Sequence, residues 1–262
     1  MFHYDLASTW AKKIKEFEDR RMKIALSMIP KDCRTLIDLG SGDGSLLYKI
    51  ENNTAKKIKC NGIERSKVAI KIKKCISNIE FRKNFQSRGV ENQYDMVVSM
   101  AVFEHLKDFE VKQKRELIEN LSKKYLLVSV PYKEKRVNVK CPHCNCCFDP
   151  HWHLRSYDIS SLARLFLKWN IKKTYLLKTK TSFLDIIIRF FGIVISAKRG
   201  NQKICPLCQK TTQKNKTSHD ENNDAATNNK GLIQLIIKVL RIFFNFKIQK
   251  VSEVFILFEK KN

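Results

Sequence analysis

The sequence predicts an α/β protein built on a largely parallel sheet, and three observations carry that expectation. Short apolar runs alternate with longer segments of helical spacing, which is how strands and crossover helices follow one another in such sheets. A glycine-rich turn, "GSGDG" at 40–44, comes directly after the first of those runs. The last apolar run, "SEVFILFEK" (252–260), stands far from the others, so an insertion is expected before the strand that ends the chain.

In chain order, an N-terminal segment of helical spacing reaches Pro30. Strands are then predicted at "TLIDL" (35–39), "KCNGIE" (59–64), "IEFRK" (79–83), "YDMVVSM" (94–100) and "YLLVSVP" (125–131). Helices are predicted between them at 45–53, 66–76 and 111–124, where apolar residues recur every three or four positions. After a cysteine-rich stretch the alternation resumes with a helix over 158–169 and a strand over 171–178. Two strongly apolar segments, 183–196 and 231–246, follow, each with a narrow polar stripe at helical spacing. Both are shorter than the roughly 20 residues that cross a bilayer, so packing or a membrane-surface contact is expected rather than a span. Between them the polar run at 209–230 reads as a flexible loop. The domain plan is a core over 1–135, a knuckle and pocket loop over 136–158, core again over 159–180, an insertion over 181–249 and a final strand over 250–262.

With 262 residues, 43% of them hydrophobic, the chain can bury one sizeable core. The start of the chain lacks the pattern of a secretory signal, so a cytoplasmic, reducing setting is the expectation, peripheral to the membrane if the apolar segments meet lipid. There, an odd count of nine cysteines suits metal ligands and buried thiols better than a disulfide framework. The formal charge of +25 comes mostly from lysines spread along the chain, not gathered in one stripe, so nucleic acid is not the expected partner.

Two motifs carry chemistry. Asp38 closes the first strand and Gly40, Gly42 and Gly44 alternate after it, letting a ligand approach the main chain while the next helix offers its amides. Glu64 closes the second strand, where a carboxylate can accept the hydroxyls of a ribose. The other motif is a pair of Cys-x-x-Cys knuckles, "CPHC" at 141–144 and "CPLC" at 205–208. Together Cys141, Cys144, Cys205 and Cys208 offer the soft tetrahedral set that suits structural zinc, the alternatives being separate thiols or a redox pair. Cys146 and Cys147 are given no role. The "HWH" run at 151–153 has only Asp149 near it in sequence, so a second, catalytic metal is not expected there.

From 35 to 131, through 153–180 and in the final strand, the sequence resembles the class I S-adenosylmethionine-dependent methyltransferases, whose first motif is an acid followed by three alternating glycines. The resemblance implies a Rossmann-like seven-stranded sheet, here with a zinc-knuckle and apolar-helix insertion before the last strand. It implies that Asp38 and the loop of Gly40, Ser41, Gly42 and Gly44 hold the methionine part of the cofactor, Glu64 the ribose, and Met100 the adenine side. Where the family often carries an acid after the third strand, this sequence has Asn84 and Phe85, leaving Phe85 to stack on the adenine. "YDMVVSMAVFEHLKD" looks like the family's fourth-strand segment, with Glu104 and His105 opening the next helix as candidate catalytic groups or simply as its cap. "HLRSYDISSLARLF" resembles the stretch lining the acceptor pocket, which makes His153 the candidate base if the acceptor is a hydroxyl. The knuckles and apolar helices also resemble a branch associated with bacterial surface polysaccharides and the cell envelope. That branch implies O-methylation of a small-molecule, glycan or lipid-linked acceptor. The competing reading is an RNA-binding zinc-knuckle protein or RNA methyltransferase, which lacks support from an Asn-Pro-Pro-Tyr motif after the fourth strand.

Overall fold

The computed structural model of the protein describes residues 15–53, 57–72, 77–81, 93–136, 138–182, 204–210 and 247–261. Phe85, the apolar segments 183–196 and 231–246, and positions 211–230 of the polar run lie outside the described residues. The chain forms two compact units: residues up to 138 with 149–177 and 252–262, and residues 139–148 with 178–251.

In the first unit lie helix α1 (Lys15–Met28), strand β1 (Thr35–Leu39), α2 (Ser45–Glu51), β2 (Lys59–Glu64), α3 (Lys67–Lys71), β3 (Asn78–Phe81) and β4 (Tyr94–Met100). A 3₁₀ turn (Phe103–His105), α4 (Asp108–Leu121), β5 (Ser122–Pro131) and α5 (Ile159–Leu165) complete it, with parts of β8 (Trp169–Ser182) and β9 (Lys247–Lys260). The seven strands are ordered β3-β2-β1-β4-β5-β9-β8. From β3 to β5 neighbours run parallel, and β9 pairs antiparallel with β5. The strand order reverses at β1, which pairs with both β2 and β4, and Asp38 stands level with Gly62 and Val98. Ligands of such sheets bind outside the carboxyl ends at this reversal.

The central strands read as unbroken apolar runs because both of their faces are covered. Leu36, Met96, Val98, Leu127 and Phe255 pack with Ala25 and Met28 of α1 and Leu46, Leu47 and Ile50 of α2. Their neighbours Ile37, Val97, Leu126, Val128 and Ile256 point the other way, onto Leu117, Ile118 and Leu121 of α4 and Leu162 of α5. The result is a three-layer α/β/α arrangement. Asp158 caps α5 by accepting from the Ser161 amide at 2.7 Å, which fixes the helix start.

Some boundaries differ from the sequence expectation. The predicted helix over 111–124 begins earlier and stops at Leu121, and Ser122–Lys124 open β5 instead. Likewise the helix predicted over 158–169 ends at Leu165, and Trp169 already belongs to β8. Glu104 and His105 do not open a helix; they sit in the separate 3₁₀ turn. In the second unit, β6 (Val139–Lys140) and β7 (Cys147–Phe148) form a short antiparallel hairpin that the sequence did not announce. No helix among the described residues is long and apolar enough to cross a membrane.

Candidate active site

Strand β1 ends at Leu39 and the chain turns at once. Gly40, Gly42 and Gly44 have φ of 91°, 57° and 71°, the left-handed region that side chains resist. At Gly40 an added Cβ would lie 2.5 Å from Val102 Cγ2, so that position admits no side chain without displacement. The loop is tied to β2 by Gly40 and Ser41, whose amides donate to the Ile63 carbonyl at 2.7 and 3.2 Å. A glycine that sequence reasoning passed over makes this approach possible: at Gly62 a Cβ would meet Ser41 Oγ at 2.7 Å.

The loop borders a cavity of about 170 Å³. Of the residues expected around the cofactor, Asp38, Gly40, Ser41, Gly42, Glu64 and Met100 line it, while Gly44 stands behind them as the N-cap of α2. The sequence reading missed Glu18 and Arg21 of α1, and also Asp43, Arg65 and Val102, all of which line the same space. Carboxylates predominate, which suits a ligand carrying a sulfonium and an ammonium.

Glu64 already has partners. Oε2 accepts from Gly42 N at 2.8 Å, and Oε1 accepts from the amides of Arg65 and Ser66, both at 2.7 Å. A carboxylate offers about four acceptor sites, so three are taken. The remaining one is open to a single further donor, so accepting from both hydroxyls of a diol would require Gly42 N–H to let go. Beneath the loop, fully buried Lys114 donates to the Leu39 carbonyl at 2.8 Å. Burial pushes its ammonium down to about 7, against the pull of Asp38 and Glu64.

Two residues beyond Val102, Glu104 and His105 face a loop that comes from far along the chain. Leu154 N donates to the Glu104 carbonyl at 2.7 Å, Arg155 donates to the Leu106 carbonyl at 2.6 Å, and His105 Nδ1 meets the Trp152 carbonyl at 3.2 Å. Asp149 uses its carboxylate inside this loop, accepting from the amides of His151 at 2.8 Å and His153 at 3.4 Å. The outcome is an edge-to-face pair of His105 and His153, with ring centroids 4.7 Å apart. His153 Nδ1 is paired with Glu134. Burial pulls the His153 imidazole down, but Glu134 outweighs it and holds the group above its ordinary value. Glu104 is only 1% exposed, and neither of its carboxylate oxygens has a hydrogen-bond partner among the described residues. Burial pushes it up to about 7. Neither Glu104 nor His105 caps α4; its N-cap is Lys107, whose amide donates to Glu110 at 2.8 Å. The three expected catalytic residues therefore do come together, held by contacts that sequence alone does not show.

In the second unit the four knuckle cysteines also come together, their sulfurs lying within 4.8 Å of one another. Cys141 Sγ is 3.6 Å from Cys208 Sγ, and Cys144 Sγ is 3.6 Å from Cys205 Sγ. Cys146 joins them, with Sγ 3.3 Å from that of Cys205, whereas Cys147 is exposed.

A methyltransferase-domain family model matches residues 2–175. Among solved structures, an S-adenosylmethionine-dependent methyltransferase from Archaeoglobus fulgidus aligns over 99% of this chain and 100% of its own, with a TM-score of 0.57 and 16% identity. The complex of the Haloferax volcanii Trm112 methyltransferase activator with a methyltransferase aligns over 68% and 80%, with a TM-score of 0.50 and 17% identity. The [4+2]-cyclase SpnF aligns over 95% and 84%, at 0.51 and 12%. At such identities these likenesses speak for the fold alone, and the cyclase illustrates that one fold hosts several reactions. No curated protein compared with the chain matches it. The family match over most of the chain, the glycine loop and the acid-lined cavity agree: the chain belongs to the methyltransferase-domain family, as an S-adenosylmethionine-dependent methyltransferase.

Proposed function

We propose that the methyl group goes to a hydroxyl oxygen of a small-molecule, glycan or lipid-linked acceptor, activated at the cluster of Glu104, His105 and His153. The observation that carries this reading is that cluster itself, whose Glu104 and His105 follow Val102 of the cavity wall by two and three positions along the chain. A neutral amine attacks with its own lone pair and needs no base in that step, whereas a hydroxyl must lose its proton as it attacks. In the reaction the oxygen attacks the methyl carbon in line, the carbon–sulfur bond breaks with its electron pair going to sulfur, and the hydroxyl proton is released at the cluster and passes on to solvent. Positioning supplies much of the rate. The envelope character of the acceptor is supported by the resemblance described above and by the apolar segments 183–196 and 231–246.

His153→Ala is expected to bind S-adenosylhomocysteine with unchanged affinity by calorimetry and to lose about 100-fold in methyl transfer to hydroxylated glycans, followed with radiolabelled cofactor. Full turnover by that variant would remove His153 from the reaction.

A structural zinc at Cys141, Cys144, Cys205 and Cys208 belongs to the same proposal. For ligands about 2.3 Å from a tetrahedral zinc, neighbouring sulfurs sit about 3.8 Å apart. The sulfur contacts of 3.6 Å fit that edge. The two knuckles also repeat each other. Asn145 N donates to the Cys141 carbonyl and Gln209 N to the Cys205 carbonyl, both at 3.0 Å, and Asn145 and Gln209 have φ of 59° and 61°.

A further inference from the structure

We propose that Glu104, His105 and His153 form a binding site for one divalent transition-metal cation, separate from the cysteine set. The inference rests on the hydroxyl-methylation reading and names the agent that prepares the hydroxyl. In sequence, "HWH" lacks a third donor, because Asp149 is occupied by the amides of its own loop. The fold supplies two donors from a distant turn, and one ligand atom each from Glu104, His105 and His153 lie within 4.8 Å of one another.

Three features point to a cation. The first is Glu104, a carboxylate buried without a hydrogen-bond partner among the described residues. Arg21 and His153 favour its charge, but neither donates a hydrogen bond to it, and a fold keeps such a group at considerable expense unless a direct partner meets it. Second, both imidazoles are oriented through Nδ1, His153 by the Glu134 carboxylate and His105 by the Trp152 carbonyl. Metal-binding histidines are held in this way by an outer carboxylate or carbonyl, which sets the tautomer that coordinates through Nε2. Third, Trp152 presents that carbonyl from a φ of 60°, a conformation that side chains adopt only where surrounding structure imposes it.

Two imidazoles and one carboxylate suit zinc, manganese or iron in the divalent state, with room for exogenous oxygen ligands. Methyl transfer is redox-neutral, so the cation acts as a Lewis acid that acidifies a coordinated hydroxyl. The hydroxyl proton passes to solvent, oxygen bonds to the methyl carbon, and the sulfonium becomes a neutral thioether. Sulfonium and alcohol thus give thioether, methyl ether and one proton.

The test uses the full chain with its thiolate site already loaded with zinc, titrated with Mn²⁺ and followed by electron paramagnetic resonance of the free ion. Thiolates discriminate against manganese. One Mn²⁺ per chain is expected, bound at least tenfold more weakly in His153→Ala and Glu104→Gln. Calorimetry with S-adenosylhomocysteine verifies that both variants fold, and Glu104→Gln should raise the melting temperature of the manganese-free protein. Absence of binding, or binding that both variants keep, overturns the proposal. If no cation binds yet His153→Ala still abolishes methyl transfer, the site falls while the hydroxyl reading stands with imidazole as proton acceptor. If the cation binds at these residues but no hydroxyl is methylated, the site stands and the hydroxyl reading falls.

Discussion

Gly40 lies where backbone conformation and space agree that no side chain fits: its φ is 91° and Val102 stands 2.5 Å from the place of a Cβ. A left-handed conformation costs a substituted residue about 1–2 kcal/mol, before any displacement of Val102. Gly40→Ala is therefore expected to lower stability by about 1–3 kcal/mol in urea denaturation. It should also weaken S-adenosylhomocysteine binding at least tenfold, because Val102 and the loop both line the cavity. An unchanged dissociation constant would show that the loop does not hold the cofactor. Lys114 offers a test in pH. Its pKa is depressed to about 7 in the folded chain, so between pH 7 and its ordinary value near 10.5 the unfolded chain carries a proton that the folded chain lacks. Stability must then rise with pH across that window, and the destabilisation is full below about 7. Relative to Lys114→Met, the wild-type chain should gain of order 1–2 kcal/mol between pH 7 and pH 9. Parallel stability curves for the two proteins would place the ammonium's pKa at an unshifted value. Both residues were visible in the sequence, but only Gly40 announced itself, since nothing in the helical spacing of 111–124 distinguishes a buried lysine from an exposed one.

Elements were legible to the extent that their pattern is local. Strands β1, β4 and β5 lie under helices on both faces, and so read as apolar runs whatever the register. Their edges were less legible. Leu117, Ile118 and Leu121 carry the helical period up to the start of β5 with no glycine or proline between, and Ser122–Lys124 give no sign of strand. Contacts between elements were invisible for a plainer reason: they join residues far apart. His153 and Glu104 are an instance, and so is Arg21 of α1, whose guanidinium donates to Glu253 of β9 at 2.7 and 2.9 Å across 232 positions. Ser129 of β5 donates to the same carboxylate at 2.6 Å. This buried group fixes α1 over the sheet, where Glu18, Arg21 and Met22 line the cavity beside the glycine loop. Removing one partner of a buried ion pair leaves a charge without compensation, so Arg21→Ala should cost about 3–5 kcal/mol. The double substitution Arg21→Met with Glu253→Leu should recover most of that loss, since no buried charge remains. Equal losses in the single and double variants would mean that the arginine stabilises by packing rather than by pairing.

At the scale of the whole molecule, the proposed chemistry and the proposed scaffold fall to different residues. Every residue lining the cavity beside the glycine loop lies in the first unit, and all four knuckle cysteines lie in the second. A hairpin as short as β6–β7 buries too little apolar surface to hold its own shape, which is the circumstance in which small folds depend on a metal. Zinc in such sites contributes on the order of 10–16 kcal/mol of binding free energy, and that energy is folding energy for the residues around it. Full chelation should release one zinc per chain from the cysteine site and remove hydrogen-exchange protection from 139–148 and 204–210. Under the same conditions the dissociation constant for S-adenosylhomocysteine should stay within about twofold, because none of the cavity residues ligates the metal. Cys141→Ser should reproduce both results without a chelator, since a hydroxyl is a poor substitute for a thiolate on zinc. If chelation instead abolished cofactor binding while leaving the knuckle amides protected, the thiolates would belong to the chemistry and the scaffold role assigned to them would be wrong.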